Sequence, residues 1–137
     1  MANPSTNKKR AVLRARRKKI NKIVKAGMIY IRSTFNNVNI TVSDNEGKVV
    51  AWASAGSVGF KGTKKSTPFA ATQTAKTVIE KIKEMGFEEG QIIVNGVGNG
   101  REAAVRAFAG SGINITNLKD TTPVPHNGCR PKKPRRV

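Results

Sequence analysis

Charge is spread unevenly along this sequence, and its placement decides which parts can fold. Residues 1–27 hold ten basic residues, among them Arg14, Arg16, Arg17, Lys18 and Lys19, and no acidic one. Residues 119–137 hold six basic residues against Asp120 alone. Residues 28–118 are nearly balanced, with ten basic and seven acidic residues. The two ends cannot bury enough apolar surface to offset their chain entropy, so disordered arms are expected that order when phosphates neutralise them. The chain thus divides into a basic N-terminal arm 1–27, a compact domain 28–118 and a basic tail 119–137. A solvated tail or a localisation signal would explain one such run. Two runs flanking a foldable core, with a net charge of +18 over 137 residues, point to nucleic acid. No apolar run reaches 18 residues, so no membrane span is expected. No apolar stretch comes after the basic start before Met28, so no signal peptide is expected either.

The middle reads as α/β. Ile29 and Ile31 alternate with Tyr30 and Arg32, and Val38, Ile40 and Val42 alternate with Asn39, Thr41 and Ser43. Period two marks half-buried strands. Asn36-Asn37 and Asp44-Asn45-Glu46-Gly47 supply turns, and residues 48–55 form a third strand, giving an antiparallel meander. Residues 56–67 are rich in glycine and lysine and read as a loop. Thr67-Pro68 is a helix start, a capping hydroxyl before a proline at the first helical position. Ala71, Ala75, Val78, Ile82 and Met85 then recur at helical spacing, and Gly86 ends the helix. The continuous apolar run 91–95 predicts a central strand buried on both faces. A second helix over 101–109 turns Ala104, Val105 and Phe108 inward, and a last strand covers 113–118. Strands four and five each come after a helix, so right-handed parallel crossovers are expected. The expected fold is a mixed five-stranded sheet, antiparallel meander plus parallel crossovers, with two helices, in the ribonuclease-H-like arrangement.

Catalysis on such a sheet needs several carboxylates converging on metal ions. Asp44 stands at a strand end with no acidic companion on the strands, so nuclease activity is rejected and no enzyme is expected. One histidine, His126, and one cysteine, Cys129, are too few for a four-ligand metal site and exclude an internal disulfide. No metal and no cofactor are expected, and a reducing compartment fits the single thiol.

Three segments suit RNA phosphates. Gly96-Val97-Gly98-Asn99-Gly100-Arg101 lacks the third-glycine spacing of a dinucleotide fingerprint. Its glycines either make a tight loop or present backbone N–H groups that grip a phosphate beside Arg101, and the second reading is favoured. Residues 59–66 combine glycines with Lys61, Lys64, Lys65 and Ser66 but lack a P-loop frame; Phe60 there stacks on a base or enters the core. Residues 123–131, with two prolines before His126, are rigid and extended, a strap that lies on RNA. A free chromatin or RNA-chaperone module would explain the charge equally well.

The ordered motifs carry more. Phe35-Asn36-Asn37, Trp52-Ala53-Ser54-Ala55-Gly56, Gly59-Phe60-Lys61-Gly62, Lys65-Ser66-Thr67-Pro68-Phe69-Ala70-Ala71, Gly98-x-Gly100-Arg101-Glu102 and PVPHNGCRP at 123–131 occur in sequence. Together with the basic end they resemble the protein-eleven family of the small ribosomal subunit, in its bacterial or plastid form, over about residues 28–137. Where that family often carries a proline in the glycine loop, this chain has Val97 and Asn99. The resemblance implies a structural protein of the subunit platform. It would bind and bridge helices of small-subunit ribosomal RNA near the exit-site mRNA path and the Shine–Dalgarno cleft. Implied neighbours are small-subunit proteins seven and eighteen, with no membrane contact and no homo-oligomer. The implied location is the cytoplasm, in the ribosome, or a plastid stroma. Carried over by motif, the RNA contacts are Asn36, Asn37, Lys61, Lys64, Lys65, Ser66, Arg101, His126, Asn127, Arg130, Lys132, Lys133, Arg135 and Arg136, with Arg14, Arg16, Arg17, Lys18 and Lys19 on the arm. Asn127-Gly128 is also a candidate for isoaspartate formation, because glycine does not hinder attack of its own nitrogen on the Asn side chain.

Overall fold

The structure, a computed structural model, describes residues 23–136. Five strands and three helices run in the order β1 (Ala26–Ser33), β2 (Val38–Asp44), β3 (Val49–Ser54), α1 (Ala55–Val58), α2 (Pro68–Glu84), β4 (Glu89–Asn95), α3 (Arg101–Ala109) and β5 (Asn114–Asp120), with a 3-10 turn at Gly62–Ser66 before α2. The sheet order is β3-β2-β1-β4-β5. β1–β2 and β2–β3 pair antiparallel, and β1–β4 and β4–β5 pair parallel. This is the expected meander with crossovers. The arm residues Arg14, Arg16, Arg17, Lys18 and Lys19 lie outside the described residues.

Alternation sets the faces. Ile29, Ile31, Ile40, Val42, Ala51, Ala53, Ile92 and Val94 are buried beneath the helices, and fully burying an Ile or Phe side chain contributes ~1.5–3 kcal/mol. α2 packs on β2 and β3, and α3 packs on β1 and on α2. Ala71, Ala75, Val78 and Ile82 are buried in α2 as the helical stripe predicts. Thr67 caps that helix, its hydroxyl accepting from the Ala70 N–H at 3.3 Å. Phe108 of α3 is wholly buried. No helix among the described residues is long and apolar enough to cross a membrane.

Two expectations are corrected. The glycine-lysine segment contains α1, a third helix, closed by a reciprocal cap in which Ser57 N–H donates to Ser54 Oγ and Ser54 N–H to Ser57 Oγ. β4 is also not buried on both faces: Ile92 and Val94 are buried, Ile93 is half-buried and Gln91 is exposed. Both large helices lie on one side, so no helix among the described residues covers the other face of the sheet. Trp52, Thr41, Tyr30, Ile93 and Lys119 cross that open face in one row.

Candidate nucleic-acid interface

Strand pairing brings distant segments to one end of the sheet. Asn39 is opposite Ser54, Arg32 is opposite both Asn39 and Asn95, and Val94 is opposite Asp120. The turn 34–37, the segment 55–67, the loop 96–100 and the start of the tail therefore project from the same end. The N-termini of α2 and α3 lie there too, and the positive end of each helix dipole favours anions.

The turn is held by its own polar groups. Thr34 N–H donates to the Asn37 carbonyl at 2.9 Å, and Asn37 N–H to Thr34 Oγ1 at 3.1 Å. Asn37 Oδ1 accepts from the Val38 N–H at 2.9 Å, so this amide is partly engaged in building the turn. Asn36 is exposed, and Phe35 beside it is 71% exposed. In the next segment Lys61 and Lys64 are exposed and Lys65 and Ser66 half-buried. Ser66 Oγ donates to the Thr63 carbonyl at 3.2 Å, which tightens the 3-10 turn. Phe60 meets Phe69 edge to face, with ring centroids 5.9 Å apart. Phe69 is itself 64% exposed, so the pair sits at the surface and not in the core.

The glycine loop is shaped by packing. Gly96 has φ +101, and a Cβ there would fall on the Ser33 carbonyl. A Cβ on Gly98 would strike Ser33 Oγ and the Thr34 carbonyl. Gly98 N–H donates to the Ser33 carbonyl at 3.2 Å and Gly96 N–H to Thr122 Oγ1 at 3.1 Å. Two of the loop N–H groups expected to grip a phosphate, those of Gly96 and Gly98, are thus engaged within the chain. Arg101 is turned inward as well. Nη1 donates to the Gly96 carbonyl at 3.0 Å, and Nη2 pairs with the Asp120 carboxylate. The Thr122 hydroxyl and N–H both donate to Asp120 Oδ1, at 2.7 and 2.9 Å. The Thr122 hydroxyl, then its N–H, then the Arg101 guanidinium hold the Asp120 carboxyl down at about 2, below its ordinary 3.8.

From Pro123 to Arg136 the tail has neither helix nor strand, and His126, Asn127, Arg130, Lys132, Lys133, Arg135 and Arg136 are all exposed. Asn127 has φ 57, left-handed. Two further features were not read from the sequence: the exposed Phe35 and Phe69 and the Arg101–Asp120–Thr122 network. Opposite charges separated by 19 residues carry no local signal. Among the described residues no group of three or more His, Cys, Asp or Glu could hold a metal ion. Asp44 serves its turn, accepting from the Glu46 and Lys48 N–H groups at 3.0 and 2.9 Å.

Comparison with known proteins covers the described domain and tail nearly end to end. A family model described as "Ribosomal protein S11" matches residues 27–136. The chain is 50% identical over 121 residues to a protein of Solibacter usitatus (strain Ellin6076) named small ribosomal subunit protein uS11, covering 88% of this chain and 90% of that one.

Proposed function

Because the chain belongs to the ribosomal protein S11 family, we propose that the gathered end of its sheet and its basic tail bind and bridge helices of small-subunit ribosomal RNA. Family membership makes it a structural constituent of the small ribosomal subunit that serves translation, and not an enzyme. The proposal concerns where and how it binds. Its main support is the convergence of the turn 34–37, the lysine segment and the tail at one end of the sheet, a convergence that only the pairing register creates.

Asn36, Asn37, Lys61, Lys64, Lys65 and Ser66 form the body's contact surface. His126, Asn127, Arg130, Lys132, Lys133, Arg135 and Arg136 line a strap that tracks phosphates away from it. Arg14, Arg16, Arg17, Lys18 and Lys19 extend the footprint. The domain wedges between RNA helices while the arms neutralise phosphates that would otherwise repel each other. Lys and Arg on extended chain carry little base code, so shape and backbone contacts dominate. The placement is the platform, near the exit-site mRNA path and the Shine–Dalgarno cleft, with small-subunit proteins seven and eighteen as neighbours. One copy per particle acts in the cytoplasm, or in a plastid stroma.

Gradient sedimentation of a tagged copy from native lysate, at low and at moderate salt, tests the reading. Co-migration with the small subunit at both salts is expected for a protein held by many contacts within the particle. Affinity for naked RNA, by contrast, should fall about a thousandfold or more over the same salt range if roughly six to ten phosphates are contacted. Release from the particle at moderate salt would mark a loose nucleic-acid binder and defeat the proposal.

A further inference from the structure

We propose that Arg101, Asp120 and Thr122 form a latch that sets the direction in which the C-terminal tail leaves the sheet, and that they act on RNA through the tail without touching it. This rests on the RNA-binding reading above and assigns these residues a positioning role within it.

The geometry is that of a joint. Asp120 is the last residue of β5, and Thr121 N–H still donates to the Val94 carbonyl at 2.9 Å. Thr122 is the anchor just beyond the strand. Its hydroxyl donates to Asp120 Oδ1 at 2.7 Å and accepts from Gly96 N–H at 3.1 Å. Arg101, the first residue of α3, closes the ring through the Gly96 carbonyl and the Asp120 carboxylate. One strand end, one loop and one helix start thus converge on a single threonine. Thr122 is half-buried, whereas the tail from Pro123 to Arg136 is exposed throughout. No hydrogen bond among the described residues ties that exposed stretch back to the domain.

The joint has leverage because the chain just beyond it, Pro123 to Pro125, is stiff. Pro123 and Pro125 fix their own φ and hold Thr122 and Val124 extended. At ~3.1 Å per residue for such a chain, His126, where the chain first bends, lies roughly 12 Å from Thr122. A rotation of about 20° at Thr122 would then move that residue, and the basic stretch it carries, by ~4 Å, further than a hydrogen bond can reach.

A direct phosphate contact by Arg101 fits the structure less well. Its guanidinium already serves a carbonyl and a carboxylate, and the Asp120 carboxylate beside it repels phosphate. Simple electrostatics and the latch therefore predict opposite signs for one substitution. Asp120→Asn removes an anion from the binding end, which by charge alone tightens RNA binding. The latch predicts weaker binding, because the tail loses its bearing.

The test measures affinity of the full chain for a transcribed fragment of small-subunit ribosomal RNA at fixed salt. Asp120→Asn and Thr122→Val are compared in the native background and in one where Arg130, Lys132, Lys133, Arg135 and Arg136 are all Gln. Thr122→Val leaves every charge in place, and far-UV circular dichroism confirms that each variant folds. The expected result is about three- to tenfold weaker binding in the native background, the scale of coupling within one hydrogen-bond network, and no weakening in the neutral-tail background. Binding by Asp120→Asn that is equal or tighter overturns the latch, as does a Thr122→Val loss of equal size in both backgrounds. If Asp120→Asn fails to fold, Thr122→Val decides alone. Failure of the native chain to bind the fragment would instead defeat the RNA-binding reading itself, and the latch with it.

Discussion

Gly98→Ala tests how the interface is built. The two effects of that change oppose each other. Gly98, unlike Gly96, lies outside the left-handed region, so alanine restricts the unfolded chain and by itself stabilises by about 0.4–1 kcal/mol. In the fold, however, the new methyl meets Ser33 Oγ and the Thr34 carbonyl well inside contact distance, with the Thr34 carbonyl carbon at 2.8 Å. Two of those three atoms are backbone of the turn that carries Asn36 and Asn37, and they cannot rotate aside. Overpacking of this kind costs about 1–3 kcal/mol, so the net expectation is a loss of roughly 0.5–2 kcal/mol. For a domain of this size that lowers the melting temperature by about 2–8 °C. Ser33 provides the internal control. Its hydroxyl is buried and has no hydrogen-bond partner among the described residues. Ser33→Ala should therefore be neutral or slightly stabilising, and it removes one of the atoms the methyl strikes. The double variant Ser33→Ala/Gly98→Ala should recover part of the loss and not all, because the Thr34 backbone remains. Thermal or urea unfolding of the four proteins measures this cycle. A Gly98→Ala protein as stable as the parent would mean that the loop does not rest on the turn, and strict additivity in the cycle would mean that the Ser33 hydroxyl takes no part in the contact.

Asp120 should titrate near pH 2 by carboxyl-carbon NMR, because its pKa is lowered from 3.8 to about 2. The folded pKa is depressed, so the contribution of the latch to stability is present above pH ~4 and is lost as pH falls through about 2; a midpoint near 4 would mean the Thr122 and Arg101 bonds are absent in solution. Thr67→Ala removes the oxygen that accepts from Ala70 N–H and should cost about 1 kcal/mol in urea unfolding, with no change in sheet content. Phe108→Ala, at a site that is 0% exposed, should cost about 3–5 kcal/mol, and a loss below about 1 would contradict the core described. Asn127 lies exposed, left-handed and before Gly128, so aged protein should be labelled there by an isoaspartyl methyltransferase in peptide mapping; no label on aged protein refutes it.

How much of this was legible before the structure depends on whether the determinant is local. The faces of β1 and β2 were, because alternation is a property of consecutive residues. The start of α2 was too, since Thr67 and Pro68 act on the next turn alone. β4 misled because a continuous apolar run cannot say whether a second layer exists; Ile93 is apolar yet lies on the open face, where only Tyr30 and Lys119 flank it across the sheet. α1 was hidden among glycines, since its whole signal is the Ser54–Ser57 pair. The glycine loop misled most. Its glycines answer to Ser33 and Thr34, more than sixty positions earlier, and its arginine answers to Asp120, nineteen positions later. Tertiary contacts of that kind leave no periodicity to read.

The same register that builds the binding end also sorts the charge of the near-neutral domain. Asp44, Glu46, Glu84, Glu88 and Glu89 belong to strand ends, turns and the helix end at the far side of the sheet, away from the turn 34–37. At the binding end the acids are Glu102 and Asp120, and Asp120, though exposed, is paired with Arg101 and hydrogen-bonded by Thr122. A domain whose net charge is small therefore carries a directional field, strongly cationic toward the tail and much less so opposite, where the acids offset Lys25, Lys48 and Lys83. Such a field contributes little to final affinity but orients the approach to a polyanion, and salt screens it over about 10 Å at 0.1 M. Moving acids without changing their number separates orientation from net charge. Glu88→Gln with Gln73→Glu keeps the total constant but shifts one anion onto α2, nearer the binding end. The association rate with the ribosomal RNA fragment should fall at low salt and converge on the parent rate as salt rises, while the dissociation rate stays within about twofold. An equal association rate at low salt would mean that the tail's charge alone guides the encounter.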